Sequence, residues 1–169
     1  PQPGEAFYGQ NAQYSNNPPS YTKLGVDGVE LDDTATSWTM VKDNVTGLVW
    51  EVKTDDGSIH DKDNTYTWYN SDSSTNGGNA GTVGDGTNNT EAYIQALNNN
   101  NYGGFNDWRL PNPRESLSIV NNRRLVPAII TDFFPNTISS YCWSSTTSAE
   151  STDSAWLLGF GYGNVTHYN

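Results

Sequence analysis

The chain has 169 residues, 8 of them basic and 19 acidic, for a formal net charge of −11. That length suits one domain around one core, and the charge repels phosphate backbones and anionic lipid surfaces, which argues against nucleic-acid and membrane-surface partners. Cys142 stands alone, so no intrachain disulfide can form, and six Trp, ten Tyr and five Phe must supply much of the core.

Residues 1–37 are rich in Pro, Asn, Asp and Gly and are expected to wrap the core as an irregular arm. Their start, Pro1-Gln2-Pro3-Gly4, carries no signal-peptide pattern and reads as a mature or trimmed beginning. Trp38, Met40 and Val41, then Leu48, Trp50 and Val52, alternate with polar residues about the turn Asp43-Asn44-Val45-Thr46-Gly47, which predicts a β-hairpin. From Thr54 to Thr90 the sequence is polar and broken by Gly-Gly, Asn-Gly and Asp-Gly steps. Only Tyr66-Thr67-Trp68-Tyr69 can anchor it, so a long surface excursion is expected.

Tyr93, Ala96 and Leu97 at i, i+3, i+4 predict a short helix from Thr90 to Leu97, stopped by the Asn98 to Asn101 run and Gly103-Gly104. A second helix is expected from Pro113 to about Asn121, with Asn112 as N-cap and Glu115 placed to close a capping box. Beyond Val126 the Pro and Phe-Phe-Pro steps exclude long helices, and Tyr141 to Ser145 and Ala155 to Tyr162 read as strands. Hairpin, helix, helix, strands is an α+β order. No apolar run reaches the ~18 residues that a membrane-spanning helix needs.

Four carboxylates, Asp55, Asp56, Asp61 and Asp63, stand close together with Asn64, and Ca²⁺ takes about six to eight such oxygens. The spacing is not that of an EF-hand, which needs an acid at its twelfth position, and Lys62 inside the run favours a solvated acidic turn. Asp27, Glu30, Asp32 and Asp33 form a weaker cluster. His60 and His167 are the only imidazoles, with neither a zinc spacing nor a Gly-x-Ser-x-Gly elbow beside them. A carboxylate pair for glycoside hydrolysis is left open by a count of 19 acids, none of which is singled out. Trp108 and Leu110 are expected inside, with Asp107 and Arg109 on the other face. Trp50, Trp143, Trp156 and Cys142 are expected in the core.

The end of the chain suggests a contact surface. If Trp156, Leu158 and Phe160 face inward with period 2, then Leu157, Gly159 and Gly161 point outward, followed by Tyr162, Asn164, Val165, Thr166, His167, Tyr168 and Asn169. Tyr among small polar neighbours suits contact more than solvation.

Asn44-Val45-Thr46-Gly47-Leu48-Val49-Trp50, Gly104-Phe105-Asn106-Asp107-Trp108-Arg109-Leu110-Pro111, Tyr141-Cys142-Trp143-Ser144-Ser145 and Ala155-Trp156-Leu157-Leu158-Gly159-Phe160 resemble, in that order, the blocks of the Lcl C-terminal domain-like family. The family takes its name from the collagen-like adhesin of Legionella and is similar in fold to C-type lectins and to formylglycine-generating sulfatase modifiers. The resemblance covers about Pro1 to Phe160. It implies a single C-type lectin-like domain over residues 1–169, with short helices, small antiparallel sheets and long loops. It also implies an exported, non-catalytic module at a bacterial surface that binds a glycan or a surface protein.

Several family properties do not carry over. Sulfated-glycan binding needs basic surface that this chain mostly lacks, the sulfatase modifiers use two cysteines, and relatives that pair cysteines near 85–105 differ from this sequence. Relatives also continue into a closing strand of the type Val-Arg-x-Val-Arg-Gly-Gly in the central sheet. Here the sequence stops at Asn169, so the chain is expected to be cleaved, incomplete or completed by a strand from elsewhere. Some relatives are variable proteins of diversity-generating retroelements, and the ten outward residues all fall in the set that randomised Asn codons encode. A glycan-processing hydrolase and an inert spacer or oligomerisation module are the alternatives.

Overall fold

Asp43 organises the first turn. Its Oδ1 accepts the Val45 N–H at 2.9 Å and its Oδ2 the Thr46 hydroxyl at 2.8 Å, while Gly47 takes φ 78°, which a residue without Cβ adopts freely. The expected hairpin forms around it, with β2 at Met40–Asp43 and β3 at Val49–Glu51. The computed structural model describes residues 18–168, together with Pro3 and Glu5. Most of the predicted N-terminal arm therefore lies outside the described residues. The part within them contains a strand the composition did not suggest, β1 at Tyr21–Leu24, paired antiparallel to β2.

A second antiparallel sheet closes the chain, with β4 at Tyr141–Thr147, β5 at Ala155–Gly159 and β6 at Asn164–Tyr168, in the order β4-β5-β6. The expected strand from Ala155 to Tyr162 stops at Gly159. The stretch read as a loop face is largely a third strand, because Gly163 at φ 69° turns the chain back to pair Asn164 with Gly159 and Tyr168 with Ala155.

The middle strand of each sheet is covered on both faces. Met40 and Val41, successive residues of β2, are fully buried, and the successive pair Leu157 and Leu158 on β5 is buried as well. One core joins Tyr21, Val41 and Val52 to Ile119, Ile129, Phe134, Leu158 and Phe160. On the opposite side Gly103 abuts Met40, the Tyr93 hydroxyl reaches Glu51, and the Trp68 indole donates to the Ser144 carbonyl. The inward-outward expectation for β5 is thereby corrected: Leu157 and Gly159 are buried, since a strand packed on both faces has no solvent side.

Between the sheets run α1 at Thr90–Asn99 and α2 at Pro113–Ser118. Asn89 caps α1 through the Ala92 N–H at 2.8 Å, and the helix buries Tyr93 and Leu97. At α2 the capping box is complete: Asn112 Oδ1 accepts the Glu115 N–H at 2.9 Å, and Glu115 Oε2 accepts the Asn112 N–H at 2.8 Å. This helix ends before the expected Asn121 because Val120 leaves it to bridge Ile129. The 54–90 excursion is stitched by Asx turns at Asp72 and Asp85, and Trp68 anchors it through an indole bond of 3.0 Å to the Ser144 carbonyl. Two small antiparallel sheets with two short helices make a mixed α+β fold. No helix among the described residues is long and apolar enough to cross a membrane.

Candidate functional site

Edge strand β6 sorts the predicted contact residues by strand alternation. Val165 and His167 turn inward, Val165 onto the core and His167 onto Trp156, with ring centroids 5.3 Å apart and its Nδ1 2.9 Å from the Ser148 hydroxyl. Asn164, Thr166 and Tyr168 take the opposite face. Tyr162 in the preceding turn is 72% exposed and Tyr168 is 68% exposed, whereas Gly161 and Thr166 are half-buried. Leu157 and Gly159 lie beneath the surface. A Cβ on Gly159 would stand 2.8 Å from both the Tyr141 ring and Asn164 Oδ1, so the glycine is the floor on which those two groups meet. Tyr141, 57% exposed and opposite Gly159, joins this face although its sequence block reads as core.

A second constellation forms around Glu51. Strand β3 turns its carboxylate away from the Trp50 face. There Oε2 lies 2.9 Å from Lys53 Nζ and accepts the Tyr93 hydroxyl, and Oε1 lies 2.7 Å from His60 Nδ1. His60 stacks on Tyr102 with centroids 4.3 Å apart, and Lys53 Nζ lies 4.4 Å from the Tyr93 ring centre. Burial works to raise the Glu51 carboxyl. It is outweighed by the His60 hydrogen bond, the Lys53 charge and hydrogen bond, and the Tyr93 hydroxyl, so the group ends below its ordinary value. Desolvation and the Glu51 charge push the Tyr93 phenol up strongly. Glu115 is also lowered, first by the hydrogen bond from Arg109, whose nitrogens sit 2.7 and 2.8 Å from its two oxygens. A glycosidase general acid needs the opposite, a raised carboxyl. The Glu51 cluster has no sequence signal, because Tyr93 and His60 join it from 42 and 9 residues away.

Glu51 borders a cavity of about 1040 Å³ that separates β3 from β4, with Trp50, Tyr93, Phe134, Cys142 and Trp143 among its walls. Cys142, expected as a buried hydrophobe, is exposed to this space. The surrounding walls still desolvate the thiol and push it above its ordinary value, helped by the Glu51 charge and opposed by that of Lys53.

The acidic loop brings Asp55, Asp61 and Asp63 together, with one oxygen of each within 4.8 Å of the others, and leaves Asp56 out. Asp61 accepts the backbone N–H groups of Asp56, Gly57 and Asp63 at 2.6 to 2.8 Å, and these bonds hold its carboxyl below its ordinary value. Lys62 Nζ lies 2.7 Å from Asp55 and 2.8 Å from Asp63, so an internal ammonium already bridges two of the acids. Asp56 instead takes the Thr54 hydroxyl at 2.7 Å and the Ser58 N–H at 2.9 Å.

The family model described as Lcl C-terminal domain matches residues 39–169 of this chain. No curated protein and no solved structure matches it.

Proposed function

We propose that this chain, which belongs to the Lcl C-terminal domain family, is an exported, non-catalytic binding module of C-type lectin-like architecture. In this reading it recognises a glycan or a surface protein at or near a bacterial cell. The carrying observation is the row of Tyr141, Asn164, Thr166 and Tyr168 on one face of the last sheet, with Tyr162 exposed in the adjoining turn. Tyrosine rings stack on sugars or apolar side chains, and Asn and Thr supply directed hydrogen bonds. The well-hydrogen-bonded strands beneath hold these groups in place, which lowers the entropy lost on binding. The family's description supports a surface or adhesive setting, and the lowered carboxyls of Glu51 and Glu115 support recognition rather than hydrolysis. Asp55 and Asp63 stiffen the acidic loop through Lys62 and Asp61 does so through backbone N–H groups, and Ca²⁺ is an alternative counter-ion that would have to displace that ammonium.

The test is binding of the labelled protein to intact bacterial cells before and after periodate oxidation or protease treatment, which separates glycan from protein ligands. The Tyr141→Ser, Tyr168→Ser double variant is expected to lose binding at least tenfold. Undiminished binding by that variant refutes the assigned face, and an absence of binding by the unsubstituted protein favours a spacer or oligomerisation role.

A further inference from the structure

We propose that this chain assembles head to tail with copies of itself, the loop of residues 26–33 in one copy docking on the loop of residues 121–128 in the next. Among the described residues the four most exposed large aliphatic side chains are Val26, Val29, Leu125 and Val126, between 58% and 71% exposed. They fall into two pairs. One pair stands among Asp27, Glu30, Asp32 and Asp33, and the other directly follows Arg123 and Arg124. Hydrogen bonds fix both loops. The Gly25 N–H donates to the Val29 carbonyl at 2.9 Å, and Gly28 is seated so closely on Gly103 that a Cβ there would stand 2.3 Å from its carbonyl oxygen. In the second loop the Asn121 N–H donates to the Ala128 carbonyl and the Val126 N–H to the Gly161 carbonyl, each at 2.9 Å. These bonds hold Val126 at φ 53°, a left-handed conformation that a β-branched residue rarely adopts. Side chains presented from such fixed loops lose little freedom on docking.

The charges around the two pairs are complementary. Of the 8 basic residues, Lys42, Lys53, Lys62 and Arg109 are ion-paired, and Lys23 Nζ donates to the Asp33 and Ala35 carbonyls. Arg114, Arg123 and Arg124 form no ion pair among the described residues, and Arg124 donates instead to the Thr131 hydroxyl at 2.8 Å. In a chain of net charge −11 the uncompensated cations are thus gathered between residues 114 and 124. On the other loop Glu30 is taken by Lys42, while Asp27, Asp32 and Asp33 form no ion pair among the described residues. Each aliphatic pair is therefore set in charge of one sign, and the signs are opposite, which favours this pairing of surfaces over either surface with itself. The two loops do not meet within one copy. Tyr21 pairs with Asp43 at one end of the first sheet and Leu24 with Met40 at the other. The 26–33 loop extends beyond Leu24, whereas Ser118, which leads into the arginine loop, lies 3.4 Å from Asp43. A contact between different surfaces at opposite ends is heterologous, so it repeats from copy to copy. Neither loop contains a residue of the face proposed above for surface recognition.

Sedimentation velocity at rising protein concentration tests the proposal. The unsubstituted protein is expected to associate beyond the dimer, and raising the salt from about 0.05 M to about 0.5 M is expected to weaken association at least tenfold, because exposed charges are screened. The Arg123→Glu, Arg124→Glu variant is expected to stay monomeric, and Val26→Ser, Val29→Ser is expected to associate at least tenfold more weakly than the unsubstituted protein. All four positions are exposed, so both variants are expected to keep the circular dichroism spectrum of the parent. Each variant retains the surface that the other has lost. Their equimolar mixture is therefore expected to form a heterodimer and to stop there. The Tyr141→Ser, Tyr168→Ser variant is expected to associate as the unsubstituted protein does, which separates this contact from the recognition face. A protein that stays monomeric up to about 1 mM, association that persists in Arg123→Glu, Arg124→Glu, or a mixture without heterodimer would each overturn the head-to-tail contact.

Discussion

Replacing Glu51 with Gln preserves the shape of the side chain and removes its charge, leaving Lys53 and His60 to face a neutral amide. The Glu51 side chain is 12% exposed, against 33% for Lys53 and 20% for His60. Breaking a fully buried pair costs about 3–5 kcal/mol. Solvent screening of the partly exposed Lys53 reduces the expected loss to about 2–3 kcal/mol. At ~2–4 °C per kcal/mol for a chain of this size, the thermal midpoint should fall by roughly 4–12 °C. Circular dichroism melts of E51Q beside the unsubstituted protein at pH 7 read this directly.

A pH series adds a second readout. Because the folded carboxyl lies below its ordinary value of 4.5, the stabilisation is fully present above that value and is lost as pH falls through the lower folded value. The gap between the two proteins should therefore be widest near neutrality and narrow progressively below pH 4.5. A midpoint loss under about 2 °C at pH 7, or a gap that stays constant into strong acid, would show that the network does not hold the charged carboxylate as described.

Gly103 takes φ 65°, and a Cβ there would stand 2.2 Å from Met40 Sδ. Gly103→Ala should therefore cost about 2–5 kcal/mol in urea unfolding, the sum of left-handed strain and overpacking, and a cost under about 1 kcal/mol would mean that Met40 yields freely. Asn112→Ala removes the α2 cap and should lose about 1 kcal/mol by the same measurement; no loss would reject the capping box as a stabilising element. Lys62→Met is expected to raise calcium affinity at least tenfold in calorimetry, because it frees Asp55 and Asp63 from their ammonium, and equal affinities would sink that competition. In alkali, Tyr21 and Tyr102 are held neutral up to about 12 by burial first, and then by the charges of Asp43 and Glu51 respectively. Both phenols ionise near 10 in the unfolded chain, so stability should decline between pH 10 and 12, and a flat profile there would contradict their burial.

What the sequence determined by itself is local. Asp43 with Gly47 defines the first hairpin, Asn89 and Asn112 start helices, and Glu115 closes its box, because each interaction joins residues no more than four apart whose geometry neighbouring atoms dictate. The aromatic blocks likewise announced the family. Tertiary structure decided the face on which each side chain came to lie. Period-2 reading assumes one wet face, and it failed at Leu157 and Gly159 because β5 is covered on both sides. Along β6 the residues read together as outward are divided by strand alternation, Asn164, Thr166 and Tyr168 to the partly open face and Val165 and His167 inward. The Glu51 cluster gathers partners across a hairpin, a loop and a helix, and the opening beside Cys142 exists only where two separate sheets stop short of each other. Those arrangements depend on contacts between elements distant in the chain, whose positions are set by how the whole core packs.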